Sequence, residues 1–407
     1  MNPRLRSSLS QIFALTLLVG ALFFMVNLRV AEGPSEATPV PSDISSQTAS
    51  VAQPAPAETI ASSTPPIQPA KTAPQKDENV PSSHEAVVRE EKPAPPQAST
   101  ESIAQQSQDS AGTEVMRIEN PYPFSVVSFD VTNVAARNAL VNILCMPHSG
   151  SLRPISGSGV IIDPRGVILT NAHVAQYVLL SQSSQIDLSC YIRSGSPAIA
   201  KWIAGVLYIP PVWVREHASE ISSSHPTGTG EHDYALLLIA GDLDGAPTGS
   251  TFPYLSVDTR EGIAFVDDSI LAASYPVEFA GSTATQYNLY AASSVTAIKQ
   301  LLTFESGTID LLSLGGIIEA QSGSSGGAVV NAWGYLVGTI VTTSEGDTTA
   351  TRDLRALTMS YIDRDLATQT GQHLKDVLGG DVYSKAQTFT GQVAPGLIDI
   401  YLKALSR

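Results

Sequence analysis

The stretch Gln321-Ser322-Gly323-Ser324-Ser325-Gly326-Gly327-Ala328-Val329-Val330 decides the reading of this chain. Serines flanked by glycines, running straight into a small and β-branched segment, describe a tight loop that feeds a buried strand. Glycine on both sides lets backbone N–H groups approach a bound group that a bulky neighbour would hold off. Such a loop suits the stabilisation of a developing oxyanion, although a plain Ser/Gly turn has the same composition. A base and an orienting carboxylate elsewhere in the chain would separate the two readings.

Both are present upstream. Thr170-Asn171-Ala172-His173-Val174 follows the apolar run Val167-Ile168-Leu169 and sets a histidine at a strand end beside small residues. Glu231-His232-Asp233-Tyr234-Ala235-Leu236-Leu237-Leu238-Ile239 sets an acid just ahead of a continuous apolar strand, where its charge needs partners. Taken singly, His173 is as well a structural histidine and Asp233 a turn or capping residue. The order His173, Asp233, Ser325, each in a loop beside a strand, gives the three their joint meaning.

The rest of the domain has the texture of an all-β protein. Ala139 to Cys145, Gly159 to Ile162 and Val167 to Thr170 read as strands, the last two joined by the turn Asp163-Pro164-Arg165-Gly166. Further short runs follow at Ile186, Ala235, Ser269, Tyr287, Val295, Ala328 and Tyr335, without alternating helices. Helical periodicity is confined to the end, at Arg364 to Leu378 and Leu397 to Leu405, and these helices are expected on the second half of the domain.

With these pieces assembled, the chain resembles chymotrypsin-fold serine peptidases, most closely the trypsin-like domain of the HtrA/Deg type. The matching segments are Gly157 to Ile162 with Thr170 to Val174, Asp233 to Leu237, Ile270 to Pro276 and Gly323 to Gly327, in family order across residues 130 to 362. The resemblance implies two six-stranded antiparallel β-barrels followed by C-terminal helices, and a Ser325–His173–Asp233 triad. The backbone of Gly323, Ser324 and Ser325 would form the oxyanion hole, with the N–H groups of Gly323 and Ser325 as donors. It implies protein or peptide as substrate, no cofactor and no metal. The floor of the specificity pocket falls on Glu319, where a carboxylate would favour Lys or Arg at the cleaved position, or where a Glu turns to solvent. Val341, Thr342 and Thr343 would form one wall.

Two departures stand out. Ser324 occupies the position before the nucleophile where relatives commonly carry Asn or Asp, so activation by an ion pair to a newly cut N-terminus is not indicated. Val341 falls near the position of a hydroxyl that often supports the triad acid, with Thr339 or Thr342 as substitutes. A peptidase-fold binding or scaffold module without turnover is the rival reading from another class.

Outside the domain the composition is informative. The chain has 23 basic against 38 acidic residues, a net charge of −15 with no basic cluster beyond the N-terminus, which argues against nucleic acid as a partner. Arg4 and Arg6 precede an apolar run within residues 12–28, an export signal read as a retained membrane anchor with everything later outside the cytoplasm, periplasmic or extracellular. Cleavage at the weak Ser35-Glu36-Ala37 site would release a secreted form. Residues 31–115 hold 13 of the 27 prolines and no aromatic residue, a disordered linker. The organisation is therefore 1–30 tip and anchor helix, 31–115 linker, 116–362 peptidase domain (barrels near 116–245 and 250–362) and 363–407 helices, a tail too short for a PDZ module.

Cys145 and Cys190 flank the His173 loop, and their positions allow a disulfide or two separate buried thiols. His217, His225 and His232 are too irregularly spaced for a metal site and read as solvated, and Asp242-Leu243-Asp244-Gly245 reads as a turn.

Overall fold

The computed structural model describes residues 115–223, 228–249, 251–277, 286–304, 307–343 and 348–406; the anchor and nearly all of the linker lie outside these. No helix among the described residues is long and apolar enough to cross a membrane.

Six strands, β1 (Leu140–Pro147), β2 (Ile155–Asp163), β3 (Val167–Thr170), β4 (Leu188–Ser194), β5 (Ile199–Tyr208) and β6 (Ala235–Asp242), close into a barrel in the order β1-β2-β3-β6-β5-β4. The unbroken apolar runs are explained by burial on both faces. Along β2, β3 and β6, Ile161, Ile168 and Leu237 fill the barrel, while their neighbours Val160, Leu169 and Leu236 join a second core shared with the other sheet. The turn joining β2 and β3 forms as its sequence predicts. Asp163 takes the Arg165 N–H at 2.8 Å on Oδ1, and its carbonyl takes the Gly166 N–H at 2.9 Å.

Cys145 and Cys190 are directly opposite on β1 and β4 and form a disulfide.

The second half departs from the expected barrel. Strands β7 (Ser269–Ser274), β8 (Ala292–Ala297), β9 (Gln300–Leu302), β10 (Leu311–Gly315), β11 (Ala328–Asn331), β12 (Leu336–Thr343) and β13 (Leu354–Thr358) form a seven-stranded sheet, β8-β7-β11-β12-β13-β10-β9. Its edges β8 and β9 are linked by Ile298 and Lys299 rather than by a ladder, so it is an open half-barrel. The three residues of β9 pair with β10 alone.

Helices also depart from the expectation of a helix-free body. Phe129–Ala139 (α1), Ala172–Leu180 (α2) and Pro211–His217 (α3) precede or interrupt the strands. In α2 every residue but His173 is buried, so the sequence has no polar stripe to betray a helix. At the end, α4 (Met359–Thr370) and α5 (Leu374–Leu378) replace one predicted helix, broken at Gly371, and are followed by α6 (Val382–Gln392) and α7 (Ala394–Leu405). Of these C-terminal helices α4 packs on the second sheet, against β12 and β13. The last two helices cover the first barrel, with Phe389, Leu397 and Tyr401 packed in one core with Tyr177, Val178 and Trp213.

Candidate active site

Three loops converge where the barrel meets the half-barrel. Asn171, extended at φ −87 and ψ 155, ends β3 and starts α2, and its side-chain amide donates to the Asp233 carbonyl at 2.8 Å rather than capping the helix. His173 therefore stands on the first turn of a buried helix, a firmer mount than the loop its sequence indicates. Its backbone N–H donates to Asp233 Oδ1 at 2.9 Å, and its Nδ1 lies 2.6 Å from Asp233 Oδ2. A carboxylate only accepts, so Nδ1 carries the proton and Nε2 is left as the acceptor nitrogen. Burial works against a charge on this ring, but the charge and hydrogen bond of Asp233 together outweigh it and raise the His173 pKa above its ordinary value.

Ser325 is half-buried and lines the same cleft as His173 and Asp233, a cavity of about 290 Å³. The glycines around it are demanded by geometry. Gly323 and Gly326 have φ +88 and +87, and a Cβ on Gly326 would come 2.0 Å from the Ser158 carbonyl oxygen. A Cβ on Gly323 would come 2.7 Å from the Tyr275 carbonyl.

Two peptide planes here are pinned by their carbonyls. Ser322 O accepts from Val277 N–H at 2.8 Å, and Ser324 O accepts from Gly327 N–H at 2.9 Å. In a trans peptide the N–H points opposite to the C=O, so the N–H groups of Gly323 and Ser325 are turned the other way. Among the described residues neither has a backbone acceptor. The Ser324 N–H, in contrast, is committed to Gln321 O at 3.3 Å, so Ser324 belongs to the loop but not to this donor pair. Its side chain is buried and pairs with the Ser274 hydroxyl at 2.9 Å, which fills the place of the missing acid without a charge.

The residues expected at the substrate pocket part company: Val341 lines the cleft and Glu319 does not. Glu319 is wholly buried, neither in the cleft nor turned to solvent; one oxygen accepts from Ser294 at 3.0 Å and the other has no described partner. The loop Ile317 to Gln321 folds back on itself through Ala320 N–H to Ile317 O, which carries the carboxylate inward. Ile340, Val341 and Leu354 form an apolar stretch of the cleft beside Gln321 and Ser322, and Gln176, Glu220 and Glu231 line the same cleft. The Thr342 and Thr343 side chains lie outside the described residues. Thr339 gives its hydroxyl to Gly327 O at 3.1 Å, so it does not support Asp233.

Several participants are missed by sequence reasoning. Ser158, within a quoted motif, joins the halves: its N–H donates to Ser325 O at 2.8 Å and its hydroxyl to Gly323 O at 2.8 Å, while accepting from Tyr275 N–H at 2.9 Å. The insertion before Asp233 is ordered in part by α3, where Trp213 and His217, four residues apart, stack at 4.9 Å and line the cleft. Pro210-Pro211 ahead of that spacing is the signal that announces the helix. His232, read as solvated, is hydrogen-bonded to Asp365 at 3.0 Å. Asp242 forms a turn, accepting from the N–H groups of Asp244 and Ala246. Among the described residues no three metal-ligating side chains gather.

A base held by a carboxylate, a hydroxyl in the same cleft and two outward N–H groups form the outline of an acyl-transfer site. Residues 157–338 match the trypsin-like peptidase domain family. The matched region begins beside Ser158, ends on β12 and contains His173, Asp233 and Ser325. It supports a chymotrypsin-fold peptidase domain, with protein or peptide as substrate. No curated protein matches the chain.

Proposed function

We propose that the chain is an exported serine endopeptidase of the HtrA/Deg type, tethered to the cell membrane through residues 12–28, with its trypsin-like domain outside the cytoplasm. The observation that carries the catalytic part is the His173–Asp233 pair: both carboxylate oxygens are engaged by His173, and the ring shares a cleft with Ser325.

In this reading Ser325 Oγ attacks the scissile carbonyl carbon and its proton passes to His173 Nε2. Asp233 holds the ring in the tautomer that receives it and stabilises the imidazolium. The tetrahedral oxyanion takes hydrogen bonds from Gly323 and Ser325 N–H, each such donor contributing roughly 2.7–4 kcal/mol. Collapse breaks the C–N bond, and the amine leaves with the proton from His173. Water, deprotonated by the same nitrogen, then releases the acid from Ser325.

A panel of fluorogenic peptides tests this. The wild type should hydrolyse members of the panel and Ser325→Ala none; equal hydrolysis by both proteins would refute the assignment.

A further inference from the structure

The residue before the triad acid is held in a conformation that side chains seldom adopt. His232 has φ +58, in the left-handed region, and the chain turns tightly around it through Asp233 N–H to Gly230 O and Tyr234 N–H to His232 O. What keeps it there comes from the other half of the domain.

Tyr361, Asp365 and Gln369 are spaced i, i+4 and i+8 on α4 and so share one face. All three address this turn. The Tyr361 hydroxyl accepts the His232 backbone N–H at 3.0 Å, and Asp365 Oδ1 meets His232 Nδ1 at 3.0 Å. Gln369 Nε2 donates to Asp365 Oδ2 at 2.6 Å, and its Oε1 takes the Tyr208 hydroxyl at 3.4 Å. Asp365 is buried, and it is oriented from behind before it touches the histidine.

The helix is itself anchored. Arg364 pairs with Glu261 at 2.9 Å and with Asp310, so α4 is fixed to the half-barrel while its Tyr361–Asp365–Gln369 stripe grips a barrel turn. The charged or titratable groups facing His232 are Asp365 and Tyr361 from α4, Glu231 from its own loop and Glu216 from α3. Three carboxylates act on the ring and raise its pKa, the Asp365 hydrogen bond being the largest cause.

We infer that the Tyr361–Asp365–Gln369 stripe is a positioning element for the triad acid, acting through His232. It fixes the left-handed turn that presents both Asp233 oxygens to His173. This rests on the proposed triad, and it makes α4 the part of the half-barrel that aligns an acid supplied by the other barrel.

The test compares wild type, Asp365→Ala and His232→Gly as full folded chains. Glycine accepts φ +58 freely, so His232→Gly removes the contact without straining the turn. The low-field proton resonance of the His173 Nδ1–H···Asp233 bond reads the geometry directly and does not need turnover. It is expected in the wild type and shifted upfield or broadened away in both variants. The kcat on a fluorogenic peptide should fall about tenfold with KM within about twofold, the pattern of a misaligned catalytic group. If Asp365→Ala fails to fold, His232→Gly decides.

Folded variants that keep the resonance and kcat of the wild type overturn the inference, as does a wild type that lacks the resonance. A wild type that shows the resonance and its loss in the variants, but hydrolyses nothing, removes the peptidase reading and leaves the positioning role intact.

Discussion

Ser158→Ala is the perturbation that most sharply probes how the two halves hold the nucleophile loop. The Ser158 hydroxyl is fully buried and bridges Gly323 O and Tyr275 N–H at 2.8 and 2.9 Å. Alanine leaves both backbone groups buried and unpaired. At roughly 1–3 kcal/mol for each orphaned group, and allowing for the hydroxyl's own lost desolvation cost, the expected destabilisation is about 3 kcal/mol. For a domain of this size that is a fall in Tm of about 8 °C. Ser274→Ala is the comparator, since it removes only the one hydroxyl bond to Ser324 and should cost about 1 kcal/mol. Differential scanning calorimetry gives both values on matched samples. The Gly323–Ser324 peptide, which joins the two donor peptides, should also loosen, so fluorophosphonate labelling should slow by about tenfold in Ser158→Ala. A Ser158→Ala protein melting within about 1 °C of wild type, or no further from it than Ser274→Ala, would refute the bridging role.

The raised His173 pKa has opposite consequences for activity and stability. The base must be neutral, so kcat/KM should fall as pH drops through a value above 6.5. The stability that Asp233 gives the imidazolium is fully present below the unfolded pKa and is lost as pH rises through the folded one, which paired rate and melting profiles would show. Burial pushes the Glu319 carboxyl above its ordinary value, outweighing the Ser294 hydrogen bond. Stability should therefore be lost as pH rises from the unfolded pKa toward the folded one, and Glu319→Gln should melt above wild type near pH 8, with the margin gone near pH 4. Cleavage preference should not change with that substitution. Reducing Cys145–Cys190, which closes 45 residues, should cost up to ~4 kcal/mol of stability, read as a lower urea midpoint, with labelling of the folded protein unchanged.

The parts of the fold legible in the sequence are those where local chemistry and tertiary role agree. Asp163 to Gly166 is a turn in any context, and the Gly-flanked Ser325 loop, His173 and Asp233 each stand beside an apolar strand that the structure builds. What escaped was set by the surroundings. Ala172–Leu180 is apolar on all sides because the barrel, α3 and α7 enclose it, so no 3.6-residue pattern survives. Leu354–Thr358 carries an arginine, and its strand character comes from pairing with both β10 and β12. Glu319 reads as a pocket floor by counting from the nucleophile, and a loop that folds back takes it elsewhere. The spacing of Tyr361, Asp365 and Gln369 is plain in the sequence, but their partner His232 lies more than a hundred residues upstream and only coordinates bring the two together.

Turnover by this site requires Ser325 to be an activated nucleophile within reach of His173. Mass spectrometry of the protein after reaction with a fluorophosphonate probe addresses this directly: the predicted result is a single adduct on Ser325, formed by wild type and abolished by His173→Ala. An adduct on another residue, or equal labelling with and without the imidazole, would contradict it.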